Sequence, residues 1–202
     1  TFSFVQPLFW MLIFGFLFHR FTLGEEYRGL TYLDFLLPGI SAMTVLFGAS
    51  QSGIDIVRDL QSGFLQRMAR ATTHPGWILA GKIAADMARL LAQAIIVAAL
   101  GVALGARPQI DPAGLLVGSI ALVLFALAYA SLSCWIALKT RAQESMAVFV
   151  HLVNMPLLFT STALVPSRQM PEWLGVIARW NPLTLVAESL RDATVMHRMP
   201  AI

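Results

Sequence analysis

Five long apolar stretches constrain this chain more than any other feature, because each approaches the length that a lipid bilayer demands. They run from about Phe4 to Phe18, Phe35 to Ile56, Trp77 to Leu104, Ala113 to Leu138 and Met146 to Val165. A helix crosses about 30 Å of hydrocarbon with about 20 mostly apolar residues. The stretches are continuous in Leu, Ala, Ile and Val and lack the alternation of barrel strands, so they read as helices. The first lacks the basic lead and small-residue cleavage site of a signal peptide and reads as a span. Of the 202 residues, 57% are hydrophobic and 12% charged, whereas soluble domains carry about 25% charged residues. Mean hydropathy is +0.71. That balance excludes an ordinary cytosolic enzyme, a nucleic-acid binder and a disordered regulator.

After Val165 the pattern changes, because Pro166, Pro171 and Pro182 cut the chain into pieces too short to cross. Asn181 followed by Pro182 is a helix start: Asn caps free amides, and Pro is preorganised for the first helical position. The segment Leu183 to Leu190 is therefore expected to begin a sixth span. The expected architecture is an all-α polytopic membrane bundle of five complete spans plus that start. A chain that opens on Thr1 and stops at Ile202, just inside another helix, reads as a fragment of one transmembrane domain.

The net charge of +3, from 14 Lys and Arg against 11 Asp and Glu, is topology information. Arg58, Arg67, Arg70 and Lys82 follow the second stretch, and Lys139 and Arg141 follow the fourth. The alternate loops hold Arg20 and Arg28 beside Glu25 and Glu26, then only Arg107. The bias places the N terminus in the cytoplasm and the segment after Val165 outside. A single cysteine, Cys134, forbids an intrachain disulfide.

Catalytic and metal signatures are missing. GWILAGK, from Gly76 to Lys82, imitates a phosphate loop, but Ile83 stands where Ser or Thr would hold magnesium, and no strand precedes it. His19, His74, His151 and His197 are dispersed, without a zinc-ligand pair, and there is no GxSxG elbow. An intramembrane enzyme using His151 or Asp86 would need a catalytic partner at hydrogen-bonding spacing, and the sequence offers none. No metal site and no resident cofactor are expected.

The polar residues that remain each admit two readings. In the loop from Asp59 to Gly76, Phe64, Leu65 and Met68 share one face of a short helix, with Gln66, Arg67 and Arg70 on the others. Such a helix either rests on anionic headgroups or docks into a groove on a cytosolic partner. Lys82, Asp86 and Arg89 form one stripe on the third stretch, read as a solvated protrusion or as functional intramembrane charge. His151 and Asn154, one turn apart ahead of Pro156, either line a pathway or join helices, as do Gln51, Ser52 and Asp55. Gly101 with Gly105, and Gly114 with Gly118, either make a tight hairpin between the third and fourth spans or recur by chance, since Gly and Ala are common in membrane helices. Trp173, Ile177 and Trp180 share a face that either lies at the outer leaflet boundary or packs on neighbouring spans.

Three passages carry a family resemblance: DLQSGFLQRMARATTHPGWILAGK from Asp59, LLFTSTALVPSRQMPEWL from Leu157, and IARWNPLTLVAESLR from Ile177. In their order the chain resembles the membrane subunit of type-2 ABC transporters, the ABC-2 permeases, and among these the daunorubicin-resistance and nodulation-export type. The resemblance implies that Gly63, Phe64, Leu65, Arg67 and Met68 form a cytoplasmic coupling helix that meets a separate ATPase subunit. ATP and magnesium would belong to that partner. Gln51, His151 and Asn154 become candidates for lining the pathway, and Trp173, Ile177 and Trp180 for the outer interfacial helices that help to close it. The family pattern also implies a permease homodimer with two ATPase chains, contact with membrane lipid, and residence in a bacterial plasma membrane. It implies export of a drug-like or amphipathic molecule, or alternatively of lipid-linked polysaccharide. The family's N-terminal amphipathic helix and last span have no counterpart in this sequence.

Overall fold

A computed structural model describes residues 2–17, 31–71, 75–108 and 111–196. Among these the regular structure is helical, without strands. The elements are α1 (Phe2–Leu17), α2 (Tyr32–Gln61), α3 (Phe64–Ala71), α4 (Pro75–Ala103), α5 (Pro112–Thr140), α6 (Gln143–Phe159), α7 (Glu172–Trp180) and α8 (Pro182–Arg191). A 3-10 turn at Ser167–Gln169 precedes α7, and a π-helical turn at Asp192–Met196 continues α8. The loop carrying Arg20, Glu25, Glu26 and Arg28 lies outside the described residues, as do His19, His74 and His197.

The bundle is built around α2, which packs against α1, α4, α5, α6 and α8. Its Phe35, Leu36, Ile40, Met43 and Leu46 are buried, and burial on every side explains why its apolar pattern shows no polar face. Thr31 and Asp34 start α2 with a reciprocal cap: Asp34 N donates to Thr31 Oγ1, and Thr31 N donates to Asp34 Oδ2 at 2.8 Å. Arg107 N donates to the other carboxylate oxygen of Asp34 at 2.6 Å, tying the α4–α5 connection to the same helix end. On α4 and α5 the outward residues are large and apolar, among them Ile95, Leu116, Ile120 and Leu124. Such a continuous surface suits lipid. Among the described residues three helices, α2, α4 and α5, are long and apolar enough to cross a membrane. α1, at 16 residues, and α6, at 17, are shorter.

Three expectations are corrected. The fifth stretch is helical only to Phe159, three residues beyond Pro156, and not to Val165. Thr160 N donates to Pro156 O and Ser161 N to Leu158 O, so the chain turns out of the helix with its amides satisfied.

The second correction concerns the expected sixth span. Asn181 and Pro182 do start a helix, with Leu183 N donating to Asn181 Oδ1 at 2.9 Å. However, Leu190 lies against Gly118 and Ala193 against Gly114, so α8 runs antiparallel to α5. The eight residue steps from Leu190 back to Pro182 span about 12 Å at about 1.5 Å per step. That places the start of α8 level with the middle of α5. It rises towards the outer end instead of beginning an inward crossing, and α7 and α8 form a re-entrant pair. Asn181 holds this mid-depth start, donating from Nδ2 to Leu157 O at 2.7 Å and to Thr160 Oγ1 at 2.9 Å.

The third correction concerns the glycines, which do not clasp α4 to α5. Gly101 faces Leu37 of α2, Gly114 and Gly118 face the α8 segment, and Gly105 closes the end of α4 at φ +106 with open space beside it.

Candidate functional site

The loop of opposite sequence character to the spans folds as α3, an eight-residue helix between the inner ends of α2 and α4. Gly63 makes the junction. Its φ of +70 lies in the left-handed region that favours glycine, and it lets α3 start one residue after α2 has been capped by Ser62. Arg67 Nη1 donates to Ser62 O at 3.2 Å, and Gln66 Nε2 donates to Leu60 O at 3.3 Å, so α3 is fastened to the end of α2. The structure separates residues that the helical spacing placed on one face. Leu65 is half-buried against the cluster of Ile56, Val57, Cys134, Ala137 and Met146, and Met68 is half-buried, while Phe64 is 45% exposed beside exposed Arg67.

Beneath this handle the charged stripe of α4 is not a solvated protrusion. Asp86 is only 7% exposed, packed at the α2–α4 interface. Its Oδ2 lies 3.7 Å from Lys82 Nζ and its Oδ1 lies 3.6 Å from Arg89 Nη2. Lys82 Nζ is also 3.9 Å from Asp59 Oδ2 of α2, and Arg89 Nη2 donates to Gly48 O of α2 at 3.2 Å. A buried carboxylate requires such compensation, because removing one partner leaves an unpaired charge away from water.

Further out, α2 and α6 flank a cleft of about 380 Å³. Gln51 and His151 both line it, together with Thr44 and, from α4, Gln93; Met43 and Met155 supply apolar wall. Asn154 is not among the lining residues. It is fully buried, its Oδ1 accepting from Tyr129 Oη at 2.5 Å and its Nδ2 donating to Ser50 Oγ at 2.7 Å. Ser50 in turn donates to Leu46 O, and Ser133 Oγ donates to Ser50 O. This polar chain joins α2, α5 and α6 in the interior, so the structure places Asn154 in the joining role of the two readings.

At the outer end, Trp173, Ile177 and Trp180 of α7 face away from the bundle, Trp180 being 86% exposed. Trp173 is 65% and Ile177 46% exposed among the described residues. Ile177 and Trp180 border an open groove shared with Leu152, Pro156 and Leu157 of α6. The sequence reading missed Arg191. It is 2% exposed, its guanidinium stacks 3.7 Å from the Phe35 ring centre, and its Nη2 donates to Thr162 O at 3.0 Å. Thr162 Oγ1 donates to Glu188 Oε1, and Thr162 N donates to Thr184 Oγ1, so the 161–164 turn is laced to α8. The only sequence signal for this lacing was an arginine ending an otherwise amphipathic segment.

The chain is 32% identical over 189 residues to the ycf38 transport permease of Cyanophora paradoxa, covering 93% of this chain and 64% of that protein. It is 27% identical over 198 residues to the daunorubicin resistance ABC transporter permease protein DrrB1 of Streptomyces coeruleorubidus, covering 96% and 66%. It is also 27% identical over 156 residues to the doxorubicin resistance ABC transporter permease protein DrrC of Mycobacterium tuberculosis, covering 77% and 56%. The chain thus spans about two thirds of the length, or less, of these relatives. The profile of the ABC-2 type transporter matches residues 1–195, and with the helical membrane bundle described above the chain belongs to the ABC-2 type transporter family.

Proposed function

We propose that this chain is the membrane permease of an ATP-binding cassette exporter that moves drug-like, amphipathic molecules out of the cytoplasm, driven by a separate ATPase subunit. The observation that carries this reading is α3, a short amphipathic helix fastened to the end of the central span with Phe64 and Arg67 turned outward. In this family such a helix is the handle that an ATPase grasps. ATP and magnesium act on that partner, and this chain contributes the handle and the pathway. Two permease chains with two ATPases, in a bacterial plasma membrane, would complete the machine. The exposed Val148 and Leu152 that flank His151 on α6 support a second copy closing the cleft. The relatives named for daunorubicin and doxorubicin resistance favour a drug-like cargo over lipid-linked polysaccharide. A cleft of hydrogen-bonding groups among methionines suits molecules of varied outline.

Mechanistically, closure of the two ATPases on nucleotide would draw the two α3 helices together and tilt the attached spans, switching the exposure of the cleft. Replacing Phe64→Asp and Met68→Asp in the full-length protein tests the reading. The expected result is normal membrane insertion with loss of ATPase copurification and of doxorubicin efflux. Undiminished copurification would overturn it.

A further inference from the structure

We propose that Lys82, Asp86 and Arg89 are the positioning residues that transmit the movement of α3 to the cleft. The inference rests on the exporter reading above and assigns a role to charges which that reading leaves idle. Four contacts form one continuous line along the α2–α4 interface: Asp59 to Lys82, Lys82 to Asp86, Asp86 to Arg89, and Arg89 to Gly48 O. Its inner end lies two residues before Gln61, where α2 ends and the junction to α3 begins. Its outer end is the wall of the cleft, since Gly48 lines that space and Gln93, one turn beyond Arg89, does so too. The eleven residue steps from Asp59 to Gly48 cover about 16 Å of helix, so the line bridges handle and cleft without a gap.

Burial makes the line consequential. Asp86 lies among packed side chains, so losing both of its basic partners would strand its charge, whereas Arg89 still faces it when Lys82 shifts. Its contacts are long for hydrogen bonds, and Asp86 Oδ2 accepts none. Lys82 is held between two carboxylates by charge alone, at 3.9 Å and 3.7 Å, and can pass from one towards the other while the pairing survives. Ser52 Oγ, one turn from Gly48 on α2, is also buried without a hydrogen-bond partner. A two-position lysine between two helices is the kind of element that coupling between distant sites requires. An α3 that is pushed therefore carries α2 and α4 together, and the Gly48 wall moves with them.

The test uses the full-length permease with its copurifying ATPase, a Cys134→Ala background and an environment-sensitive fluorophore on Gln51→Cys in the cleft. ATP with vanadate should shift the fluorescence of the otherwise unaltered complex. Lys82→Met should reduce that shift at least fivefold while ATPase copurification stays within twofold, and Lys82→Arg should restore it. Should Lys82→Met fail to insert, Asp59→Asn, which alters a partly exposed acid, decides the matter by the same two readouts. A normal shift in these variants overturns the proposal. So does a loss of shift matched by an equal loss of ATPase binding, which would mark a merely structural role. If the unaltered chain binds no ATPase, the exporter reading itself fails, and this inference with it.

Discussion

Asn154 shows how much a single polar side chain means inside an apolar helix and how little of that meaning is local. Its position in a span marked it as a residue that must find partners. Which partners it finds depends on Tyr129 and Ser50, 25 and 104 residues away, and nothing in the spacing of the chain announces them. Tyr129→Phe leaves the Asn154 carbonyl oxygen without its donor, and Asn154→Val removes the hub of the chain altogether. Each should lower stability by about 1–2 kcal/mol, in the upper range for hydrogen bonds between membrane helices. In reversible unfolding from mixed micelles the double variant should cost clearly less than the sum of the two, because both changes remove the same bond. Additive costs would show that the two residues act independently. Arg191 was less legible still, because the carbonyls and ring that receive it lie on α2 and in the 161–164 turn, far along the sequence.

Helices were easier to read than their directions. The starts of α2, α5 and α8 follow from side chains that satisfy the first free amides: Thr31 with Asp34, Asp111 with Pro112, and Asn181 with Pro182. The fate of α8 was not legible, since a cap fixes where a helix begins but not at what depth. That was decided by the close approach of α8 to Gly114 and Gly118. A side chain added at Gly118 would meet the backbone of Leu190 and Ser189 at 3.2 Å, and a backbone yields only by moving its helix. Gly118→Val is expected to displace α8 and cost about 1–3 kcal/mol, as overpacking in a tight interior does. Gly81→Ala, with nothing within 4 Å, should be neutral or slightly stabilising under the same unfolding assay. Equal effects would argue against the α5–α8 contact. The same contrast explains the misread hairpin: glycines in a helix announce a close neighbour but not which neighbour.

At the scale of the molecule, hydropathy was enough to specify a helical membrane bundle, because it depends on bulk solvent rather than on individual contacts, and the distribution of arginine predicts which ends face the cytoplasm. The orientation makes a direct prediction. In a Cys134→Ala background, a membrane-impermeant thiol reagent should modify Arg67→Cys only from the cytoplasmic side and Trp173→Cys only from the opposite side. Labelling of the first from outside would invert the whole assignment. What the pattern could not specify is the interior, where the buried Asp86 pairing, the Asn154 chain and the Arg191 stack are all made by residues that converge only after the helices have packed. The re-entrant pair has one last consequence. Its floor at Asn181, Thr160 and Thr184 is polar and lies level with the middle of α5. On the export reading proposed above, a molecule that reached this shelf would have about 12 Å of short helices left to part, the length of α8 from Pro182 to Leu190.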